Sequence, residues 1–137
     1  MTKDLNSLAR EVHEANRAKG FWDEPRSLCE TTMLIVTELA EAVEEARAGN
    51  PGLYYLDTET NEVVLADDAY GHWDGLVRSK ARASGPLKPE GVDVELIDAL
   101  IRLLDLLGAR GTDVERLLEQ KLAYNRAGRG HRHGKAY

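Results

Sequence analysis

Leu5, Leu8, Val12, Ala15 and Lys19 fall at three- and four-residue steps, the repeat that aligns side chains along one face of an α-helix. Gly20 supplies the stop, and Phe21-Trp22-Asp23 with Pro25 forms the connection. Ser27 stands three residues before Glu30, a capping box in which each side chain satisfies the other's free backbone N–H. This predicts a second helix from near Leu28 to Ala48, halted by Gly49-Asn50-Pro51-Gly52. Its apolar series is Leu28, Thr32, Ile35, Leu39, Ala42 and Ala46. The aliphatic run from Val94 to Leu107 predicts a third helix, and a second capping box, Thr112 to Glu115, opens a fourth that ends near Gly128. Between the second and third helices, Tyr54-Tyr55-Leu56 and Val63-Val64-Leu65 flank the polar stretch Asp57 to Glu62, the pattern of a short hairpin. Residues 67–90, rich in glycine, serine and charge, read as an exposed loop. The expected fold is all-α, a four-helix antiparallel bundle in a single domain over residues 1–137, with the hairpin and loop inserted between helices two and three.

Composition narrows the class. Of the 137 residues, 31% are charged and 42% hydrophobic, the profile of a globular chain able to bury a core without disulfides. A formal net charge of -6 argues against duplex nucleic acid as the main partner. The N-terminus lacks the apolar stretch of a secretory signal, and no apolar run approaches the roughly 20 residues that span a bilayer. A cytoplasmic protein is expected, with no membrane partner. Cys29, the lone cysteine, reads as a small buried residue.

The third helix is aliphatic at nearly every position, and its polar residues Glu95, Asp98, Arg102 and Asp105 fall in a single stripe. Charges confined to one line of an otherwise apolar helix need solvent, an ion-pair partner or a cation. The second helix presents a matching feature: Glu38, Glu41 and Glu45 share one side. Neighbouring carboxylates repel, a local cost that a bound cation converts into stabilisation. Two acidic pairs on facing helices offer the several oxygen ligands a hard divalent cation wants. No histidine stands three residues after a glutamate, so all-oxygen ligation favours Mg²⁺ or Mn²⁺ over a two-iron or zinc centre.

On the fourth helix Lys121 and Asn125 extend the stripe begun by Val114 and Leu118, with Arg126 beside them and a basic tail from Arg129 to Lys135 beyond. These groups suit an anion held at the acidic site, although a snorkelling lysine and a free tail explain the pattern equally well. Trp22 reads as a packing anchor. Trp73 is as compatible with packing as with base stacking, and Arg78, Lys80, Arg82 and Lys88 read as solvated loop charge.

In this ordered set the chain resembles the MazG-like, all-α nucleoside triphosphate pyrophosphohydrolases, a superfamily that includes dimeric dUTPases and phosphoribosyl-ATP pyrophosphohydrolases. The resemblance rests on Glu38-Leu39-Ala40-Glu41 and Glu95-Leu96-Ile97-Asp98, which match the superfamily's E-x-x-E and E-x-x-D motifs. Lys19-Gly20-Phe21-Trp22, Lys121-x-x-x-Asn125-Arg126 and His133-Gly134-Lys135 support it. It implies Mg²⁺-dependent hydrolysis between the α and β phosphates of a nucleotide. Glu38, Glu41, Glu95 and Asp98 would be the metal ligands, with one glutamate of the first pair also orienting water, and Lys121, Asn125 and Arg126 would hold phosphates. Two departures stand out: Thr37 where many relatives carry a further glutamate, for which Glu45 is a candidate substitute, and a longer interval between the two motifs. The resemblance also implies a homodimer or tetramer, and a third helix this apolar calls for the same extra cover. The competing reading, raised by Arg102 within the acidic stripe, is a non-catalytic helical dimerisation module whose acidic stripes serve in salt bridges.

Overall fold

The structure, a computed structural model, describes residues 4–65 and 87–127. Four helices account for most of them: α1 (Leu5–Ala18), α2 (Leu28–Arg47), α3 (Val92–Ala109) and α4 (Val114–Arg126). Strands β1 (Tyr54–Leu56), β2 (Val63–Leu65) and β3 (Lys88–Glu90) form an antiparallel sheet in the order β2-β1-β3. The chain groups into two compact units, one of the segments before Ser27 and after Arg102, the other of Ser27 to Arg102. No helix among the described residues is long and apolar enough to cross a membrane.

In the Ser27–Arg102 unit, the capping box at the start of α2 forms as its spacing predicts. Ser27 Oγ accepts from the Glu30 N–H at 3.1 Å, and the Glu30 carboxylate accepts from the Ser27 N–H at 2.7 Å. Ile35, Glu38 and Ala42 form the buried line of this helix. Cys29 is exposed, contrary to the burial expected of it, because it lies on the first turn of α2 away from that line.

The hairpin pairs Tyr54 with Leu65 and Leu56 with Val63. Asp57 closes its turn by accepting from the N–H groups of Glu59 and Thr60 at 3.0 and 3.1 Å. A third strand was not expected: Lys88–Glu90, assigned to the exposed loop on its polarity, pairs with the other edge of β1, Tyr54 opposite Glu90 and Leu56 opposite Lys88. Proline and two charged residues give this strand no alternating pattern. What seats it is its neighbour Leu87, buried against Tyr55 with Leu53 and Val64 around them. The rest of the predicted loop, residues 66–86, with Trp73, Arg78, Lys80 and Arg82, lies outside the described residues, as do 128–137 with the basic tail.

From β3 the chain turns directly into α3 at Gly91, which has φ +118°. A β-carbon there would sit 2.6 Å from the Pro51 carbonyl oxygen, so only glycine admits this approach. Val92 and Asp93 donate to the Pro51 and Gly52 carbonyls, which fixes the start of α3 against the residues that follow α2. The helix begins two residues before Val94, where the aliphatic run starts.

In the other unit, α1 is capped by Asp4, whose carboxylate accepts from the Ser7 N–H at 2.7 Å. The predicted Thr112–Glu115 box is replaced: Asp113 is the N-cap of α4 and accepts from the Arg116 N–H at 3.2 Å. Glu115 instead accepts from the Leu5 N–H, and Asn6 Oδ1 accepts from the Val114 N–H at 2.7 Å. The starts of α1 and α4 thus satisfy each other's free backbone donors, a tertiary arrangement that outcompetes the local box.

Candidate metal centre

Glu38 on α2 and Glu95 and Asp98 on α3 each place a carboxylate oxygen within 4.8 Å of the others. Two of the three are buried, Glu38 at 8% and Glu95 at 7% exposure. Local sequence explains why: Glu38 lies one turn after Ile35 and one before Ala42 on the buried line of α2, and Glu95 lies one turn before the buried Ala99 on α3. Asp98 is the most accessible member.

The electrostatics of the cluster are unfavourable as it stands. Burial raises the Glu95 pKa above the ordinary carboxylate value, and Glu41, Asp98, Glu38 and Glu90 raise it further. Asp98 is raised by burial and by Glu38, against the opposing pull of Arg102 and Lys88. Glu95 has no hydrogen-bond donor and no ion-pair partner among the described residues, although it is more than nine-tenths buried. A buried carboxylate crowded by other carboxylates is favoured by a proton or a cation. The oxygen-only donor set and the spacing of three carboxylates around one point suit a hard divalent ion with positions left for water or phosphate.

The fourth predicted ligand, Glu41, stands one turn beyond Glu38, exposed and outside the group of mutually close oxygens. It remains near enough to Glu95 to be that residue's strongest charged neighbour. Glu45, the candidate substitute for a missing acid at position 37, is committed elsewhere: its carboxylate accepts from Asn50 Nδ2 at 3.0 Å and from the Tyr54 hydroxyl at 3.2 Å. Thr37 returns its own hydroxyl to the Met33 carbonyl at 3.0 Å.

Arg102, one turn beyond Asp98 on α3, donates from Nε to Glu38 Oε1 at 2.5 Å. Lys88 in β3 pairs with Glu90. Its ammonium is further stabilised by the charges of Glu95 and Asp98, after the dominant bond to Glu90. The inserted sheet therefore brings charge to the acidic cluster. No local pattern announces this, since β3 lacks strand periodicity.

The last member of the polar stripe, Asp105, belongs to a different constellation in the other unit. It accepts from Asn16 Nδ2 at 2.7 Å and from Trp22 Nε1 at 3.0 and 3.1 Å, and it contacts His13 Nδ1 at 2.8 Å. The His13 and Trp22 rings meet edge to face at 4.9 Å. Trp22 is half-buried, edge-on to His13, and Asp105 holds its indole N–H.

Lys121, Asn125 and Arg126 also lie in that unit, on the last turns of α4. Lys121 holds its ammonium over the Tyr124 ring at 5.3 Å. Asn125 Oδ1 is buried and accepts no hydrogen bond among the described residues.

Compared with protein-family models, with curated proteins and with solved structures, the chain has no match.

Proposed function

We propose that the protein is a Mg²⁺-dependent nucleotide pyrophosphohydrolase, splitting nucleoside triphosphates between the α and β phosphates into a monophosphate and pyrophosphate. Mn²⁺ is the natural substitute ion. The observation that supports this reading is Glu95, a buried carboxylate with no hydrogen-bond donor among the described residues, whose oxygen lies within 4.8 Å of those of Glu38 and Asp98. The E-x-x-E and E-x-x-D resemblance supplies the substrate class.

Glu38, Glu95 and Asp98 would hold the metal, with Glu41 as a further, outer oxygen donor. When bound, the cation supplies neutralisation of phosphate charge and a lowered pKa for its water. Glu41 is exposed and hydrogen-bonds to no described residue, so its carboxylate is free to accept a proton from an attacking water and orient it. Lys121, Asn125 and Arg126 are the proposed phosphate-binding residues on the strength of the resemblance, two cations and an amide whose N–H groups donate to phosphate oxygens.

The active form is proposed to be a homo-oligomer, at least a dimer. On α3, Leu96, Ile97, Leu100 and Ile101 are exposed in the single chain, Ile97 at 52%, as are Met33 and Val36 on α2. Apolar stripes of this extent on two helices exceed what an isolated globular chain leaves to water. A second copy carrying the same stripes covers them with matched chemistry.

Pyrophosphate release from a panel of canonical and damaged nucleoside triphosphates with Mg²⁺ tests the activity. Turnover by the wild type and none by Glu95→Gln is the expected result; no turnover of any nucleotide would overturn it. The alternative, a non-catalytic dimerisation module, draws on the Arg102–Glu38 ion pair. In that case melting temperature responds to ionic strength and is indifferent to which cation provides it.

A further inference from the structure

Arg102 stands where a bound cation would be felt most. Its guanidinium reaches Glu38 Oε1 at 2.5 Å, and Glu38 is one of the three carboxylates that converge on a single point. The third-helix stripe places it one turn past Asp98. Of its five N–H donors, only Nε has a partner among the described residues, and the side chain is 42% exposed. It is tethered at one edge and otherwise free to turn. The acidic cluster has its own sign of a ligand: Glu95, more than nine-tenths buried, holds an oxygen within 4.8 Å of those of Glu38 and Asp98 and accepts no hydrogen bond among the described residues.

We propose that Arg102 is the site's resident counter-cation, released from Glu38 when a divalent metal binds and then available to an anionic oxygen of the phosphate ligand. This rests on the metal reading above and adds a rule to it: metal and phosphate bind with positive coupling, and Arg102 transmits it. In the metal-free protein the guanidinium offsets part of the charge on Glu38, so metal must compete with it. Once Glu38 is committed to metal, the guanidinium needs a new acceptor, and a planar fork of N–H groups matches phosphate oxygens. Removing Arg102 therefore has opposite effects on the two ligands. A merely structural ion pair would not separate them. If instead Glu38 served metal through one oxygen and kept Arg102 on the other, removing the arginine would weaken metal binding.

The experiment uses the full chain with Arg102→Gln and Arg102→Lys. Mn²⁺ affinity is measured by calorimetry without phosphate, and binding of a non-hydrolysable nucleoside triphosphate is measured at saturating Mn²⁺. The expected result is Mn²⁺ binding about fivefold tighter in R102Q than in wild type, with triphosphate binding about tenfold weaker. R102K, which keeps charge without the Nε–H, shifts both in the same directions by less; it decides the comparison if melting curves show R102Q to be unfolded. Saturable Mn²⁺ binding that Arg102 replacement leaves unchanged or weakens overturns the inference alone, as does unchanged triphosphate binding. No saturable binding by the wild type removes the metal reading and this inference with it.

Discussion

Glu38 and Glu95, on different helices and 57 positions apart in the chain, hold carboxylate oxygens within 4.8 Å of each other, both nearly sealed from water. Two buried like charges at that separation oppose folding unless something neutralises them. The position of this pair is fixed by the strap at Gly91, which ties the start of α3 to the residues after α2.

Relieving the repulsion tests that cost directly. Glu95→Gln keeps the shape of the side chain and removes its charge, so in the presence of a chelator it is expected to raise stability by about 1 kcal/mol, a few degrees in melting temperature. Added Mg²⁺ is expected to stabilise the wild type saturably and the variant much less. A variant that melts lower than wild type in chelator would show that Glu95 is satisfied by a partner after all.

The same carboxylates set a pH dependence. Because Glu95 and Asp98 titrate above their ordinary values of 4.5 and 3.8, the folded protein binds their protons more tightly than the unfolded chain. Their contribution to stability is therefore full below the ordinary values and is lost as pH rises through the raised ones. Melting curves in chelator across the acid range should show this loss in wild type, and the Glu95→Gln, Asp98→Asn double variant should lack it. Saturating Mg²⁺ should reverse the sign, since metal holds both groups ionised.

Asp105 is expected to behave as a structural residue despite sharing the stripe. Its replacement by alanine strands the indole N–H of Trp22 and the amide of Asn16, each held at 3.0 Å or closer, and should cost about 2–3 kcal/mol by denaturant titration. Mn²⁺ affinity of the folded fraction should be unchanged.

Gly91→Ala forces a side chain into a backbone conformation with φ +118° and against the Pro51 carbonyl. The expected loss is about 2–4 kcal/mol, with weakened metal binding because the start of α3 must shift. Gly49→Ala, also at positive φ but with open space around it, should cost about 1 kcal/mol and leave metal binding intact.

Ile97→Glu probes the oligomer without touching the carboxylates. Light scattering at micromolar protein should report a larger species for wild type and a smaller one for the variant; a wild-type monomer throughout would dispose of the proposed assembly.

The sequence by itself determined the four helices, the first hairpin and the acidic pairs as candidates, because helical periodicity and turn chemistry act over a few residues. The Ser27–Glu30 box formed for that reason. Tertiary structure decided what local rules cannot. Strand β3 exists because Leu87 finds Tyr55, a contact with no local signature. Thr112 lost the capping role to Asp113 while Glu115 turned to α1. Above all, the stripe Glu95, Asp98, Arg102 and Asp105 looks uniform on a helical projection. Packing divided it into two carboxylates gathered with Glu38, a guanidinium bound to Glu38, and an aspartate serving His13, Asn16 and Trp22. Side chains on one line of a helix share a direction, but each takes its chemistry from whichever neighbour the fold brings to it.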